Sequence, residues 1–295
     1  MLCSFIHPTT ASVVVIIYRV FELLYNARHA RAFEERAYLK SSLTGLIVIV
    51  GLIGFCQSGF GARSEDVDEV EKGSPTQLED AYPLDDQELD LEGLFRWERV
   101  GGRHGYVWSP RIEYGFAPWW QVRASLPFLS GTTATDPPLN RNLQLQLQRS
   151  FNSEGLWTPA LAVSTEADLP TGPRAHGVDT VFTVQASKTL GTSPALPRVH
   201  ANVGWMHNAA HTADERRDLY SMVVGYTRLV TSRMMIIADF FRQQQLAAGQ
   251  TENVLELGLR RALTATAVIA VGAGYGITHD SRDFHLQVGF EYTFR

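Results

Sequence analysis

The sequence lacks any uninterrupted apolar run of about 20 residues, the length that a membrane-spanning helix needs. Two shorter apolar stretches, 11–25 and 43–55, lie near the N-terminus, and Arg19 and Glu22 interrupt the first of them. The mean hydropathy of −0.09 is that of an ordinary soluble protein. A helical membrane protein is therefore excluded. A membrane β-barrel is not, because strands that alternate apolar and polar residues average to neutral hydropathy.

Cysteine is scarce, with only Cys3 and Cys56 in 295 residues. Both lie in the N-terminal part that we expect to be removed. The remaining chain then has no disulfide and no thiolate metal site. Cys56 raises the question of a lipoprotein site, but the preceding Phe55 is too bulky for one.

Methionine is also rare, and Met1 is the only one before Met206. The apolar stretch 43–55 follows Lys40 and precedes a run of small residues at 59–62, which is typical of a secretory signal peptide. We therefore expect a signal peptide over 39–62, with translation starting at a non-AUG codon for Leu39. Residues 1–38 would then be a wrongly assigned N-terminal extension.

Acidic residues are concentrated in one segment. Residues 63–92 hold twelve acidic and two basic residues, together with Gly73, Pro75 and Pro83 and few large apolar side chains. This composition predicts an acidic, disordered periplasmic tail over 63–88. Two alternatives remain open, a periplasmic docking segment and a plug that enters a barrel.

The C-terminal segment 284–294 alternates strictly. Its even-numbered positions are Phe, Leu, Val, Phe, Tyr and Phe, whereas the odd-numbered ones are polar apart from Gly289. A period of two places successive side chains on opposite faces of a strand, so one face is apolar and the other wet. In a closed barrel with lipid outside and water inside, each strand must have this pattern.

Twelve runs of strand length cover residues 89–295. They are 89–98, 105–116, 120–129, 140–149, 158–168, 177–189, 198–208, 218–229, 233–244, 252–261, 265–276 and 284–294. Tight connections such as Ala117-Pro118-Trp119 contrast with longer loops rich in Gly, Pro, Asp and His. Short periplasmic turns and long outer loops are typical of bacterial outer-membrane barrels. We therefore predict an all-β fold, a transmembrane antiparallel up-and-down β-barrel of twelve strands in the bacterial outer membrane, with both termini in the periplasm.

Two segments resemble a known family. Residues 113–128 (EYGFAPWWQVRASLPF) and 168–172 (DLPTG) resemble outer-membrane proteins of the meta-pathway phenol-degradation, transporter-like family. The resemblance implies an outer-membrane pore or uptake role for small aromatic or other apolar molecules. The C-terminal strand similarly resembles the signal that barrel-assembly machinery recognises, on Gly289, Phe290, Tyr292 and Phe294, although Arg295 departs from a terminal aromatic residue.

Charged residues on the predicted inner face are candidates for lining a pore. They are Arg111, Glu113, Arg123, Glu166, Asp168, Glu256, Arg260 and Glu291. Such charges are costly on the lipid face, which favours their inward placement. The near balance of signs gives no basis for ion selectivity, and a network of salt bridges is the alternative role. Twelve strands predict a narrow or partly plugged pore.

Signals for chemistry are weak. His279 and Ser281 have the His-x-Ser spacing of an outer-membrane phospholipase, but no asparagine is placed to orient the histidine. His207 and His211 have helical metal-ligand spacing at a predicted strand end. We find no phosphate-binding glycine loop and no nucleic-acid patch, and we expect no cofactor, metal or enzymatic activity. The expected partners are outer-membrane lipid, the assembly machinery and a small-molecule solute; a barrel enzyme acting on lipid and a soluble periplasmic β-sandwich are the alternatives.

Overall fold

The computed structural model describes residues 67, 70–131, 139–140, 142–172, 176–193 and 195–294. The chain divides into two compact units, 1–61 and 62–295, and every described residue belongs to the second. The predicted extension and signal peptide lie outside the described residues. Within the described part, no helix has the length and apolar character to cross a membrane.

The described unit is built from antiparallel β-strands. They are β1 (Leu89–Val100), β2 (Arg103–Ala117), β3 (Trp120–Ser125), β4 (Phe128–Gly131), β5 (Leu139–Asn140), β6 (Leu143–Asn152), β7 (Ala160–Leu169), β8 (Asp179–Thr189), β9 (Arg198–His207), β10 (Asp218–Thr231), β11 (Met234–Gln244), β12 (Thr251–Ala262), β13 (Ala267–Gly276) and β14 (Phe284–Phe294).

These strands close into a barrel of twelve spanning strands. β3 and β4 pair with the same strand, β2, and are halves of one spanning strand that is interrupted at Pro127, whose nitrogen has no hydrogen to donate. β5 and β6 form a second interrupted strand, adjacent to the first. β1 pairs with both β14 and β2, which closes the sheet. The predicted fold class and strand number are confirmed.

Polarity is inverted relative to a soluble protein, in which large apolar side chains are mostly inside. Large side chains that are almost fully buried include Arg260, Glu113, Glu256, His285, Gln121 and Gln185. The most regular strand, β14, points Phe290, Tyr292 and Phe294 outward and buries His285, Gln287, Gly289 and Glu291. An apolar exterior around a polar interior is the arrangement that a barrel in lipid requires.

Nine of the fourteen exposed aromatic side chains among the described residues lie at two levels. Near the end with the short turns are Phe116, Trp119, Phe151, Trp157, Tyr292 and Phe294, and near the end with the long loops are Tyr106, Trp205 and Tyr220. The rings of Tyr292 and Phe294 meet edge to face at 4.8 Å. Two aromatic belts with an apolar band between them match the two interfaces of a bilayer.

The acidic segment before β1 differs from our expectation of a disordered periplasmic tail. Most of residues 70–88 lies inside the barrel, where Val70, Leu78, Ala81 and Leu84 are buried, whereas residues 85–87 are exposed. The plug, which was the alternative, is therefore the arrangement in the structure. The acidic composition is compatible with this because the barrel interior supplies hydrogen-bond and ion-pair partners that a sequence segment considered alone does not have.

Candidate functional site

The plug, defined as residues 70–88, crosses the half of the lumen nearest the short turns. Its hydrogen bonds extend around the wall. The Arg111 side chain donates to the Lys72 carbonyl at 2.8 Å, Arg260 donates to the Ser74 carbonyl at 3.2 Å, and the Gln77 amide donates to Glu256 at 2.8 Å. These wall residues lie on β2 and β12, so the plug is attached to well-separated parts of the barrel.

Glycines in the wall make room for the plug. A side chain at Gly258 or Gly272 would collide with Pro75, and one at Gly225 would approach Leu78 to 2.8 Å. Gly115 is in contact with the backbone at Leu84 and Asp85. A glycine in a strand interior weakens the strand and commonly marks a close approach of another backbone. The wall is therefore shaped to accommodate this segment.

Arg123 is the centre of the charged contacts between wall and plug. Its guanidinium holds Glu113 of the neighbouring strand, with Nε–Oε1 at 2.5 Å and Nη2–Oε2 at 3.2 Å. The same guanidinium also pairs with two plug carboxylates, Glu71 and Glu79. All four side chains are at least nine-tenths buried. Bidentate, charge-assisted pairs of this kind are the strong class of hydrogen bond.

Glu79 is the plug residue with the most extensive recognition. Its Oε1 accepts from Arg123 Nη1 at 2.8 Å and from the Gln146 amide at 3.4 Å, while Oε2 accepts from the Gln185 amide at 3.2 Å. The Asn202 side chain binds the backbone of Glu79. It accepts a hydrogen bond from the Glu79 N–H at 3.1 Å and donates one to the Glu79 carbonyl at 2.7 Å. We call these four wall residues, on β3, β6, β8 and β9, the Glu79 pocket.

The lumen also contains a buried apolar patch, on strands that carry the charged residues Asp239, Glu256 and Arg260 as well. Leu78, next to Glu79 in sequence, belongs to one buried cluster with wall residues of β10 to β13, and Val67 and Val70 belong to it too. The wall members of this apolar patch are Val223, Leu229, Met235, Ile237, Phe241, Val254, Ala262 and Val268. Consecutive plug residues thus contact chemically opposite parts of the lumen.

The predicted pore-lining residues all lie on inward-facing strand positions. Arg111, Arg123, Glu256 and Arg260 contact the plug directly. Glu113 is held by Arg123, and Glu291 accepts from Arg260 at 2.8 Å. The remaining two, Glu166 and Asp168, are half-buried on β7, towards the end with the long loops. Six of the eight thus belong to the hydrogen-bonded and ion-paired groups around the plug, and Glu166 and Asp168 interact electrostatically with the half-buried plug residue Lys72.

Acidic side chains outnumber basic ones inside the barrel. The inward-facing acidic strand residues that are buried or half-buried are Asp90, Glu92, Glu98, Glu113, Glu166, Asp168, Asp179, Asp239, Glu252, Glu256 and Glu291; the basic ones are Arg96, Arg111, Arg123, Arg198 and Arg260. The near balance of charge that we inferred from the sequence is wrong, because it omitted several acidic positions. The interior holds two further half-buried cations outside the strands, Lys72 on the plug and Arg282 in the loop after β13.

The residues considered for catalysis are not arranged for it. The Ser281 hydroxyl donates to the Asn253 carbonyl at 2.9 Å and accepts from the Asn253 N–H at 2.8 Å. The side chain of His279 is fully exposed and lies near Asp280. His207 pairs with Asp218, and His211 lies beside the Asn208 carbonyl. No group of three or more potential metal ligands occurs among the described residues.

Sequence reasoning did not identify the uncharged members of the site. Gln146, Gln185 and Asn202 were not among the candidate residues. The three residues share one feature that is visible in the sequence. Each carries a polar side-chain amide at an inward-facing strand position, between residues that face lipid. Inward Gly225 and Gly258 carry the second signal, because isolated strand glycines indicate close approach of another backbone.

No protein-family model matches the chain. A sequence match at 28% identity to the tryptophan synthase alpha chain of Methanosarcina mazei covers 143 residues, 47% of this chain, and the chain spans about half the length of that relative. This match is too partial to assign a fold or an activity.

Solved structures give a consistent result. An outer-membrane channel from Pseudomonas putida F1 matches with a TM-score of 0.55 at 12% identity, over 77% of this chain and 100% of that one. The NanC porin matches with a TM-score of 0.52 at 10% identity, over 69% and 98%. The KdgM porin gives 0.50 at 8% identity, over 70% and 99%. The chain therefore has the fold of outer-membrane β-barrel channels.

Proposed function

We propose that this protein is a bacterial outer-membrane channel for small molecules, closed by its own N-terminal plug. One observation carries the proposal: the polar interior of a closed barrel is occupied by a separate segment of chain instead of by wall side chains alone. Because the plug contributes no strand, it can leave without breaking the sheet. The structural neighbours, which are named as channels and porins, support the same function.

The apolar patch supports a solute with apolar surface. Val223, Ile237, Phe241 and Val254 are contacted by apolar plug residues when the channel is closed. A departing plug exposes them to the lumen. The resemblance of 113–128 and 168–172 to the meta-pathway phenol-degradation family supports an aromatic or other apolar solute. Transport through this path requires no chemistry, and outer-membrane lipid, the barrel-assembly machinery and the solute are the partners we propose.

The test is single-channel conductance of the full chain in planar bilayers. Gly272→Val places a side chain where Pro75 sits, and overpacking of this kind costs about 1–3 kcal/mol. We expect rare openings of the unaltered protein and roughly 10- to 100-fold more open time in the variant. Ala201→Val on the exposed face of β9 is the matched control and should behave as the unaltered protein.

Folding is checked first by the heat-sensitive electrophoretic mobility of closed barrels. Folded, inserted protein that never conducts, with or without Gly272→Val, would contradict the proposed channel. Equal conductance of all three proteins would contradict the closure by the plug.

A further inference from the structure

We propose that the Glu79 pocket is a recognition site for a solute that carries a carboxylate next to a secondary amide, as in an acidic peptide or an N-acylated acidic amino acid. In the closed state the plug occupies this site with its own glutamate. The inference rests on the proposed channel function and specifies the polar group of a solute whose apolar surface would contact the apolar patch beside it.

The wall binds every polar group of Glu79. Four side chains from four strands converge on one residue and bind both carboxylate oxygens, the backbone N–H and the carbonyl. Adjacent Leu78, by contrast, is held chiefly by apolar packing. Retention of a plug requires only that the wall binds it. A site that binds a carboxylate and an amide at the same time selects for one particular chemical group.

The Glu79 pocket keeps its shape without the plug, because other wall residues orient its side chains. Glu113, a wall residue, holds Nε of Arg123 and shares Nη2, so the guanidinium stays oriented with Nη1 towards the pocket. The Gln185 amide is likewise positioned by the Ser164 hydroxyl at 2.8 Å. When Glu79 leaves, these donors keep their orientation and lose only the Glu79 oxygens as partners. A preorganised set of donors is what favours binding of a replacement group.

The charges of the lumen also favour selective binding of an anion at the Glu79 pocket. The acid-rich lumen repels anions, so an anionic solute passes only where a local positive site offsets that repulsion. Arg123 offers Nη1 at this point, while wall carboxylates pair with its other nitrogens and with Arg111, whose Nη1 lies 2.9 Å from Glu92 Oε2, so the attraction is a directed charged donor at one position. General repulsion combined with one local attraction gives specificity, because anions that do not fit the pocket are rejected.

The experiment is chemical rescue in the full chain. Glu79→Ala removes a CH₂–COO⁻ group and leaves a space beside Arg123 that acetate fits. We expect on the order of tenfold more open time in this variant, and acetate in the millimolar range should reverse the increase. Acetamide, which has the same shape without the charge, is the matched control and should not reverse it. The rescue should disappear when Arg123→Gln is added, or Gln185→Leu if that double variant does not fold.

Three outcomes are distinguishable. Reversal by acetate alone supports the site. Increased conductance that acetate and acetamide affect equally, or not at all, overturns the site and leaves the channel function standing. Folded protein that never conducts overturns the channel, and binding of ¹³C-acetate to detergent-solubilised Glu79→Ala protein then decides the site. Saturable line broadening that acetamide does not reproduce supports it, and no broadening overturns it.

Discussion

The two parts of the lumen hold the same plug by different physics. Around Glu79 the wall supplies one guanidinium and three amides with defined geometry, whereas around Leu78 it supplies a patch of aliphatic and aromatic side chains. Ion pairs need both partners, because a lone buried charge is strongly unfavourable. Apolar contacts lose stabilisation gradually as atoms are removed. Arg123, whose partners include the wall residue Glu113, should therefore affect the folding of the barrel itself, whereas Leu78 should affect only how firmly the plug is seated.

Arg123→Leu should have the largest effect. It leaves the Glu113, Glu71 and Glu79 carboxylates without their main cation, and breaking a buried pair from one side costs about 3–5 kcal/mol. We expect a marked loss of barrel stability in urea. The heat-sensitive electrophoretic mobility of the folded barrel is the measurement. Arg149→Leu, on the exposed face over Trp120, is the control, and an equal loss there would contradict the difference between inner and outer arginines.

Leu78→Ala tests the apolar side. Truncating a buried leucine typically costs about 2–5 kcal/mol, and here we expect the cost to fall on seating of the plug. Open time should rise at least about tenfold while the urea midpoint of the barrel stays unchanged. Leu147→Ala on the exposed face provides the control. A fall in barrel stability without new openings would show that Leu78 supports the wall itself.

Acidity should strengthen plug seating. Burial raises the pKa of the Asp80 carboxyl to about 7, and Arg198 and Glu79 are the charged groups that act on it. An exposed aspartate titrates near pH 3.9. The seated plug therefore binds a proton more tightly than the free plug, so seating is strongest at low pH and weakens as pH rises towards about 7.

The pH effect is measurable as open time between pH 5 and 8. One proton changes the equilibrium by at most about tenfold per pH unit. Burial also raises the pKa of Glu79, which acts in the same direction. Asp80→Asn should thus reduce the slope without removing it. A slope of opposite sign would mean that the groups controlling the plug are ones whose pKa falls on seating.

Ser281→Ala should have the smallest effect. The hydroxyl bridges the Asn253 N–H and carbonyl and lies 2.6 Å from the Thr278 hydroxyl, so its loss should cost about 1 kcal/mol of local stability. Conductance should not change, and neither should any background of lipid hydrolysis in a purified sample. Hydrolysis that disappears with this substitution would revive the phospholipase-like alternative.

The sequence predicted the barrel well because its rules are local. Alternation in 284–294 places each side chain of β14 correctly, and the predicted runs differ from the strands mainly at their ends and at the break before Phe128. The inward placement of Arg111 and Arg123 follows from the same alternation.

The plug could not be predicted in this way because its partners are remote. Glu79 contacts Arg123, Gln185 and Asn202, which are 44, 106 and 123 positions away in sequence. Considered alone, twelve acidic residues among thirty indicate a solvated segment. Only the closed barrel brings these donors together at one point.

The plug continues directly into β1. Glu88 precedes Leu89 without a linker, and hydrogen bonds between Gln87, Glu88 and Gly115 hold that junction to β2. Under the proposed recognition, a free solute at the Glu79 pocket competes with an intramolecular ligand, whose effective concentration with a short tether is roughly millimolar. The channel would then behave as a threshold device, which stays shut in a dilute environment and responds only when the solute outside becomes abundant.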